Sequence, residues 1–144
     1  MFYKVIILFF LPLVLFSQIR TIEDYKKRVF NLDGKSLNYR ILEPFHGDKD
    51  PIPLFIFLHG SGERGNDNTL QLVHGSTFFL KETEKEKYNS YVIFPQCSKN
   101  NRWSYHKEDP WTSKKEYFEQ GDKKISYYGN LVILLIEDLV KKKN

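Results

Sequence analysis

The residues whose types and spacing suit chemistry are gathered in one string, His59-Gly60-Ser61-Gly62-Glu63-Arg64-Gly65-Asn66-Asp67-Asn68. Glycine carries no Cβ, so a backbone rich in it can approach a bound molecule closely. Gly60-Ser61-Gly62-Glu63-Arg64-Gly65 also matches G-x-G-x-x-G after an apolar run and before a helical pattern, the setting in which that motif holds a dinucleotide. Two features count against a nucleotide. An antiparallel hairpin precedes the apolar run, and the next apolar run ends in Phe94-Pro95-Gln96, without a carboxylate for a ribose hydroxyl. Metal chemistry has no framework: His46, His59, His74 and His106 show no H-E-x-x-H spacing, and Cys97 is the single cysteine. No metal or other cofactor is therefore expected. Cys97 cannot form an internal disulfide, and it reads as a small buried hydrophobe at a strand end rather than as a nucleophile.

The elements that must hold this loop follow from patterning. Lys26–Leu32 and Ser36–Leu42 flank Asp33-Gly34, a pair that favours a two-residue hairpin because both turn positions need positive φ. Leu54–Leu58 (LFIFL) is unbroken apolar, as expected of a strand buried on both faces. The spacing of Leu70, Val73, Thr77 and Leu80 predicts a helix over Asn66–Lys81, weakened at Gly75. Tyr91–Phe94 predicts a second buried strand, Gln96–Gly121 an irregular loop, and Lys123–Lys143 the clearest helix, with Ile125, Tyr128, Val132, Leu135 and Leu139 on one side. Alternating strands and helices predict an α/β layer fold.

The chain has 144 residues, which suits one domain. Its net charge of +4 comes from 22 basic and 18 acidic side chains spread along the sequence, which gives no support for nucleic-acid binding. At the start, Lys4 precedes Val5–Phe16, twelve residues without a polar side chain. That is shorter than the roughly 20 apolar residues of a spanning helix. It fits a secretory signal peptide over residues 1–17, with 18–144 as the folded portion and a secreted or periplasmic destination.

A wider set of residues carries a family resemblance. Leu58 and the string His59–Gly65 follow an apolar strand. Then come Gln71-Leu72-Val73-His74-Gly75, Val92-Ile93-Phe94-Pro95-Gln96-Cys97 and Trp103. Over about residues 36–140, the chain resembles the α/β-hydrolase superfamily, in particular the secreted esterase and predicted-peptidase branch related to phospholipase/carboxylesterases. The resemblance implies a truncated α/β-hydrolase-like sheet: an N-terminal antiparallel hairpin, then parallel strands with covering helices. It also implies that Ser61, with Gly62, offers backbone N–H groups to the oxyanion of a tetrahedral intermediate. His59, Gly60, Glu63, Arg64 and Gly65 would support that loop, Glu63 and Arg64 by an ion pair. Trp103, His106 and Trp111 would lie on the substrate side, and the substrate of the complete fold would be a small ester or peptide.

The resemblance also requires a nucleophile elbow, G-x-S-x-G, and the motif does not occur in these residues. Gly60-Ser61-Gly62 and Gly75-Ser76-Thr77 do not fit it. The expectation is a hydrolase-type chain that keeps the oxyanion loop and is inactive as written. In that fold Leu54–Leu58 would present an open apolar edge and invite self-association or a partner chain. Two alternatives stand beside this reading: a secreted non-catalytic binding module using the Trp103–Trp111 loop, and a dinucleotide-binding fragment.

Overall fold

The computed structural model describes residues 19–45, 51–83, 85, 88–104, 117–120 and 123–142. The expected signal segment 1–17, His106 and Trp111 lie outside them.

Strands β1 (Lys26–Leu32) and β2 (Lys35–Leu42) form the expected hairpin, in register from Lys26 opposite Ile41 to Leu32 opposite Lys35. Asp33 and Gly34 both take positive φ, +48° and +74°, the conformation that matches the twist of the flanking strands. β3 (Leu54–Ile56) and β4 (Tyr91–Pro95) complete a sheet of order β1-β2-β4-β3, in which β4 runs antiparallel to β2 and parallel to β3. Helix α1 (Ser76–Thr83) packs on one face. Helix α2 (Tyr127–Lys141) packs on the other.

The two-residue period of the strands divides the core. Leu37, Tyr39, Ile41 and Ile93 meet Leu131, Val132 and Leu135 of α2. Leu42, Val92 and Phe94, with Tyr25, meet Leu72 and Leu80. β4 is central, so its residues from Val92 to Pro95 are all buried. This is the mixed α/β sheet with covering helices that the sequence predicts.

Three elements differ from expectation. The helix expected over Asn66–Lys81 is split into a 3-10 turn at Leu70–Leu72 and the short α1. Gly75 divides them, with φ +80°, and a Cβ there would sit 2.9 Å from the Phe57 ring. Gly75 therefore ends one turn rather than merely weakening a helix. The helix expected from Lys123 begins only at Tyr127: Lys123–Ser126 form β6, paired antiparallel with β5 (Tyr117–Gln120) inside the segment expected to be irregular. Ser126 stops the strand and caps the helix, its hydroxyl accepting from the Gly129 N–H at 2.9 Å.

The third difference is the strand expected at Leu54–Leu58: it lies at the expected edge of the described sheet but spans only Leu54–Ile56. Phe55 is 44% exposed and Leu58 is 47% exposed, so the run is not buried on both faces. The Phe57 N–H donates to the Ile93 carbonyl and the Tyr91 N–H to the Pro53 carbonyl, each at 2.9 Å. Alternate residues of a parallel strand bond to one neighbour, which turns the backbone groups of Leu54 and Ile56 toward the open side.

Candidate functional site

The glycine loop leaves the carboxyl end of β3 and is held from three sides. His59 is the first anchor, with only 4% of its surface exposed. Its Nε2 accepts the Cys97 N–H at 3.0 Å, and its Nδ1 lies 2.6 Å from the Gly60 carbonyl. These contacts require the tautomer in which Nδ1 carries the proton and donates. Burial lowers the His59 pKa below its ordinary value, although the Gly60 carbonyl and the Glu63 charge work in the opposite direction. The imidazole is thus neutral at pH 7, with both nitrogens engaged. It supports the loop and has no free nitrogen with which to act as a base.

Trp103 is the second anchor. Its indole N–H donates to the His59 carbonyl at 2.9 Å, and the two rings meet edge to face at 5.0 Å. α2 fixes Trp103 in turn. The Ser126 hydroxyl donates to the Trp103 carbonyl at 2.5 Å, and a Cβ on Gly129 would lie 2.5 Å from that same oxygen. The cap of α2 therefore reaches the site through one carbonyl.

The third anchor is a polar cluster behind the loop. Asn68, at φ +54°, donates its N–H to Gln96 Oε1 at 2.7 Å and accepts from Arg40 Nε at 2.6 Å. Arg40 also donates to the Tyr25 carbonyl, and Gln71 donates to Asn68 Oδ1. Asp67 Oδ1 receives the Thr69 and Leu70 N–H groups and the Gln96 amide, at 2.7, 2.9 and 2.9 Å. Partial burial alone would raise the Asp67 pKa, but these three donors outweigh it and hold the carboxyl below its ordinary value. Arg40, Asn68, Gln71 and Gln96 are buried, so each of these bonds is costly to leave unmade, by about 1–3 kcal/mol per orphaned group.

Between these anchors, Gly60 is extended and Ser61–Glu63 form one 3-10 turn. His59, Gly60, Ser61, Arg64, Cys97, Arg102 and Trp103 line a cleft of about 460 Å³. Gly62 continues the turn, and nothing lies within 4 Å of where its Cβ would be. Gly65 is buried, with its N–H on the Cys97 carbonyl at 2.9 Å. Burial pushes the Cys97 thiol up to about 12, which makes it inert at neutral pH.

The ion pair expected between Glu63 and Arg64 does not form. Glu63 Oε1 lies 3.3 Å from His74 Nε2. Arg64 spends its donors on backbone carbonyls, Nε on Ser61 at 2.9 Å and Nη1 on Asn101 at 3.2 Å and Lys99 at 3.5 Å. Neighbours in sequence point apart on a helical turn, so each charge finds a partner outside it. Of the substrate-side candidates, Trp103 borders the cleft, while His106 and Trp111 fall outside the described residues. Arg102 was not expected, nor was the bond that joins Asn68, the end of the glycine-rich string, to Gln96 of the Pro95-Gln96-Cys97 run. Among the described residues no three His, Cys, Asp or Glu side chains come together as metal ligands.

A solved structure similar to this chain is that of a thermostable esterase, 29% identical, with a TM-score of 0.58. The match covers 84% of this chain and 31% of the esterase, so the chain spans about a third of that protein's length. No protein-family model and no curated protein matches the chain. The mixed sheet and its two helices correspond to a fragment of an esterase-like α/β fold, consistent with an α/β-hydrolase relationship.

Proposed function

We propose that this chain is the oxyanion-stabilising portion of a serine-hydrolase-type esterase, in which Ser61, with Gly62, donates backbone N–H groups to the anion of a tetrahedral intermediate. The observation that carries the reading is the position of Ser61: it borders a cleft at the carboxyl end of β3, in a fold that matches an esterase. The first N–H groups of a helical turn have no acceptor within the turn, and Ser61 and Gly62 hold those positions. One such donor is worth about 3 kcal/mol to a transition state.

In this reading the 144 residues do not supply the nucleophile, its base and the orienting acid: G-x-S-x-G does not occur among them and His59 has no free nitrogen. The chain alone therefore does not turn over esters. Its substrate in the complete fold is a small ester or peptide, residues 1–17 direct export, and the product acts outside the cytoplasm.

The test separates a backbone donor from a side chain. Purified chain is expected to hydrolyse p-nitrophenyl acetate no faster than buffer. A chimera is then made of residues 1–144 followed by the thermostable esterase beyond its matched region. In it, Ser61→Pro removes one N–H, at a position where proline fits: first in a helical turn and after an extended residue. The chimera's kcat is expected to fall about 10²- to 10³-fold, while Ser61→Ala, which keeps the N–H, changes it little. Turnover by the chain alone that is lost in Ser61→Ala overturns the reading, as does an unchanged kcat in Ser61→Pro.

A further inference from the structure

We infer that the cleft beside Ser61 selects ligands bearing a carboxylate, and that Arg64 is the residue that recognises it. The inference rests on the reading of this cleft as a substrate site and adds the chemical class of the substrate: an ester with an acidic group on its acyl or alcohol portion.

Among the described residues, those that line the cleft include two guanidinium groups, Arg64 and Arg102, and no carboxylate. A lined cleft of about 460 Å³ has the volume of a small-molecule site. Glu63, the acidic residue next to Arg64 in sequence, turns Oε1 to His74 at 3.3 Å and makes no ion pair with Arg64. Arg64 is held in place without being neutralised, because all three of its hydrogen bonds end on backbone carbonyls. A guanidinium has five N–H donors. Nε and Nη1 make the three bonds, and Nη2 makes none.

The bracing matters as much as the charge. Arg64 ties the Ser61 turn to the Lys99–Asn101 backbone, just before Arg102 and Trp103. With Nε and Nη1 already fixed by backbone acceptors, the guanidinium loses little further freedom when Nη2 donates to a carboxylate oxygen. The charge also acts on the cleft wall: Arg64 opposes the effect of burial on the Cys97 thiol. Trp103 supplies an aromatic surface beside the two cations. The ligand these groups fit is compact, with an acidic group near a flat apolar part.

The probes are benzoate and benzamide, which share a shape and differ in charge. Each is titrated into the chain carrying Trp111→Phe, so that Trp103 is the only indole reporter, with sodium chloride held constant. Benzoate is expected to bind about tenfold more tightly than benzamide, a difference of about 1.4 kcal/mol, and to weaken as salt is raised. Arg64→Gln is expected to erase the preference, and Arg64→Lys to restore only part of it. Arg102→Gln leaves the three bonds of Arg64 to the Ser61, Lys99 and Asn101 carbonyls in place and provides a second variant, expected to reduce the preference. Equal affinity of the two probes, or no saturable signal from benzoate, overturns the inference. A benzoate preference that survives while Ser61→Pro leaves the chimera's kcat unchanged removes the oxyanion reading and keeps the anion subsite. The reverse pattern removes the subsite alone.

Discussion

The indole N–H of Trp103 donates to the main-chain carbonyl of His59 at 2.9 Å, and the two rings meet edge to face. The bond joins residues 44 positions apart and closes the cleft between the glycine loop and the segment before α2. Trp103→Phe keeps most of the ring contact but removes the donor. It is expected to cost about 1–3 kcal/mol, the penalty for an unmade partly buried hydrogen bond. The measurement is the urea midpoint at constant slope, and an unchanged midpoint would show that the bond contributes nothing.

His59 makes the loop sensitive to acid. Its folded-state pKa lies below the ordinary 6.5, chiefly through burial. The unfolded chain therefore binds the proton first, and stability present above pH 6.5 is lost as pH falls through the lower folded value. Protonated Nε2 can no longer accept the Cys97 N–H. The urea midpoint should be flat near pH 7 and decline below about 6.5, with a smaller decline in His59→Gln. Asp67 acts lower on the scale: its depressed pKa means that its contribution fades only as pH falls below the ordinary 3.8. A midpoint that rises between pH 7 and pH 5 would contradict the assigned tautomer.

The parts of this molecule visible in the sequence are those encoded locally. Asp33-Gly34 announces the hairpin because the turn itself needs positive φ at both residues. Val92–Phe94 announces a central strand because burial on both faces leaves no polar position. The string His59–Gly65 points to the loop that borders the cleft. What sequence reading missed depends on distant partners. Asn68 and Gln96 are ordinary polar residues until the fold brings them together across 28 positions. Arg40 is an ordinary strand cation until it meets the Asn68 carbonyl. Gly75 looked like a helical position of low propensity, but the nearby Phe57 ring and its positive φ make it a break. The helix expected from Lys123 shows the same limit: Ile125 fits the helical stripe, yet the Ser126 cap starts the helix after it.

Gly129 sets two effects against each other. In the first turn of a helix, Gly→Ala ordinarily stabilises, by up to about 1 kcal/mol. Here the new Cβ would lie 2.5 Å from the Trp103 carbonyl, a backbone atom that cannot swing aside. Overpacking of this kind costs about 1–3 kcal/mol, so the clash wins. Gly129→Ala is expected to destabilise, and to shift Trp103 emission through the displaced carbonyl and the strained Ser126 bond. Higher stability in the variant would mean that α2 can move off Trp103 freely.

The open edge of β3 governs the behaviour of the isolated chain. β3 pairs only with β4 among the described strands, and the backbone groups of Leu54 and Ile56 face outward. Phe55 and Leu58 add exposed apolar surface beside them. An uncovered edge of this composition templates pairing with another chain, so the purified protein is expected to self-associate as its concentration rises. Leu58 is half exposed and lies outside both core clusters, so Leu58→Lys places a charge beside the edge at little cost to folding, within about 0.5 kcal/mol for a surface position. Light scattering after size exclusion should show a larger monomer fraction in Leu58→Lys, with an unchanged far-ultraviolet circular dichroism spectrum. A wild-type chain that stays monomeric across the same concentrations would overturn this prediction.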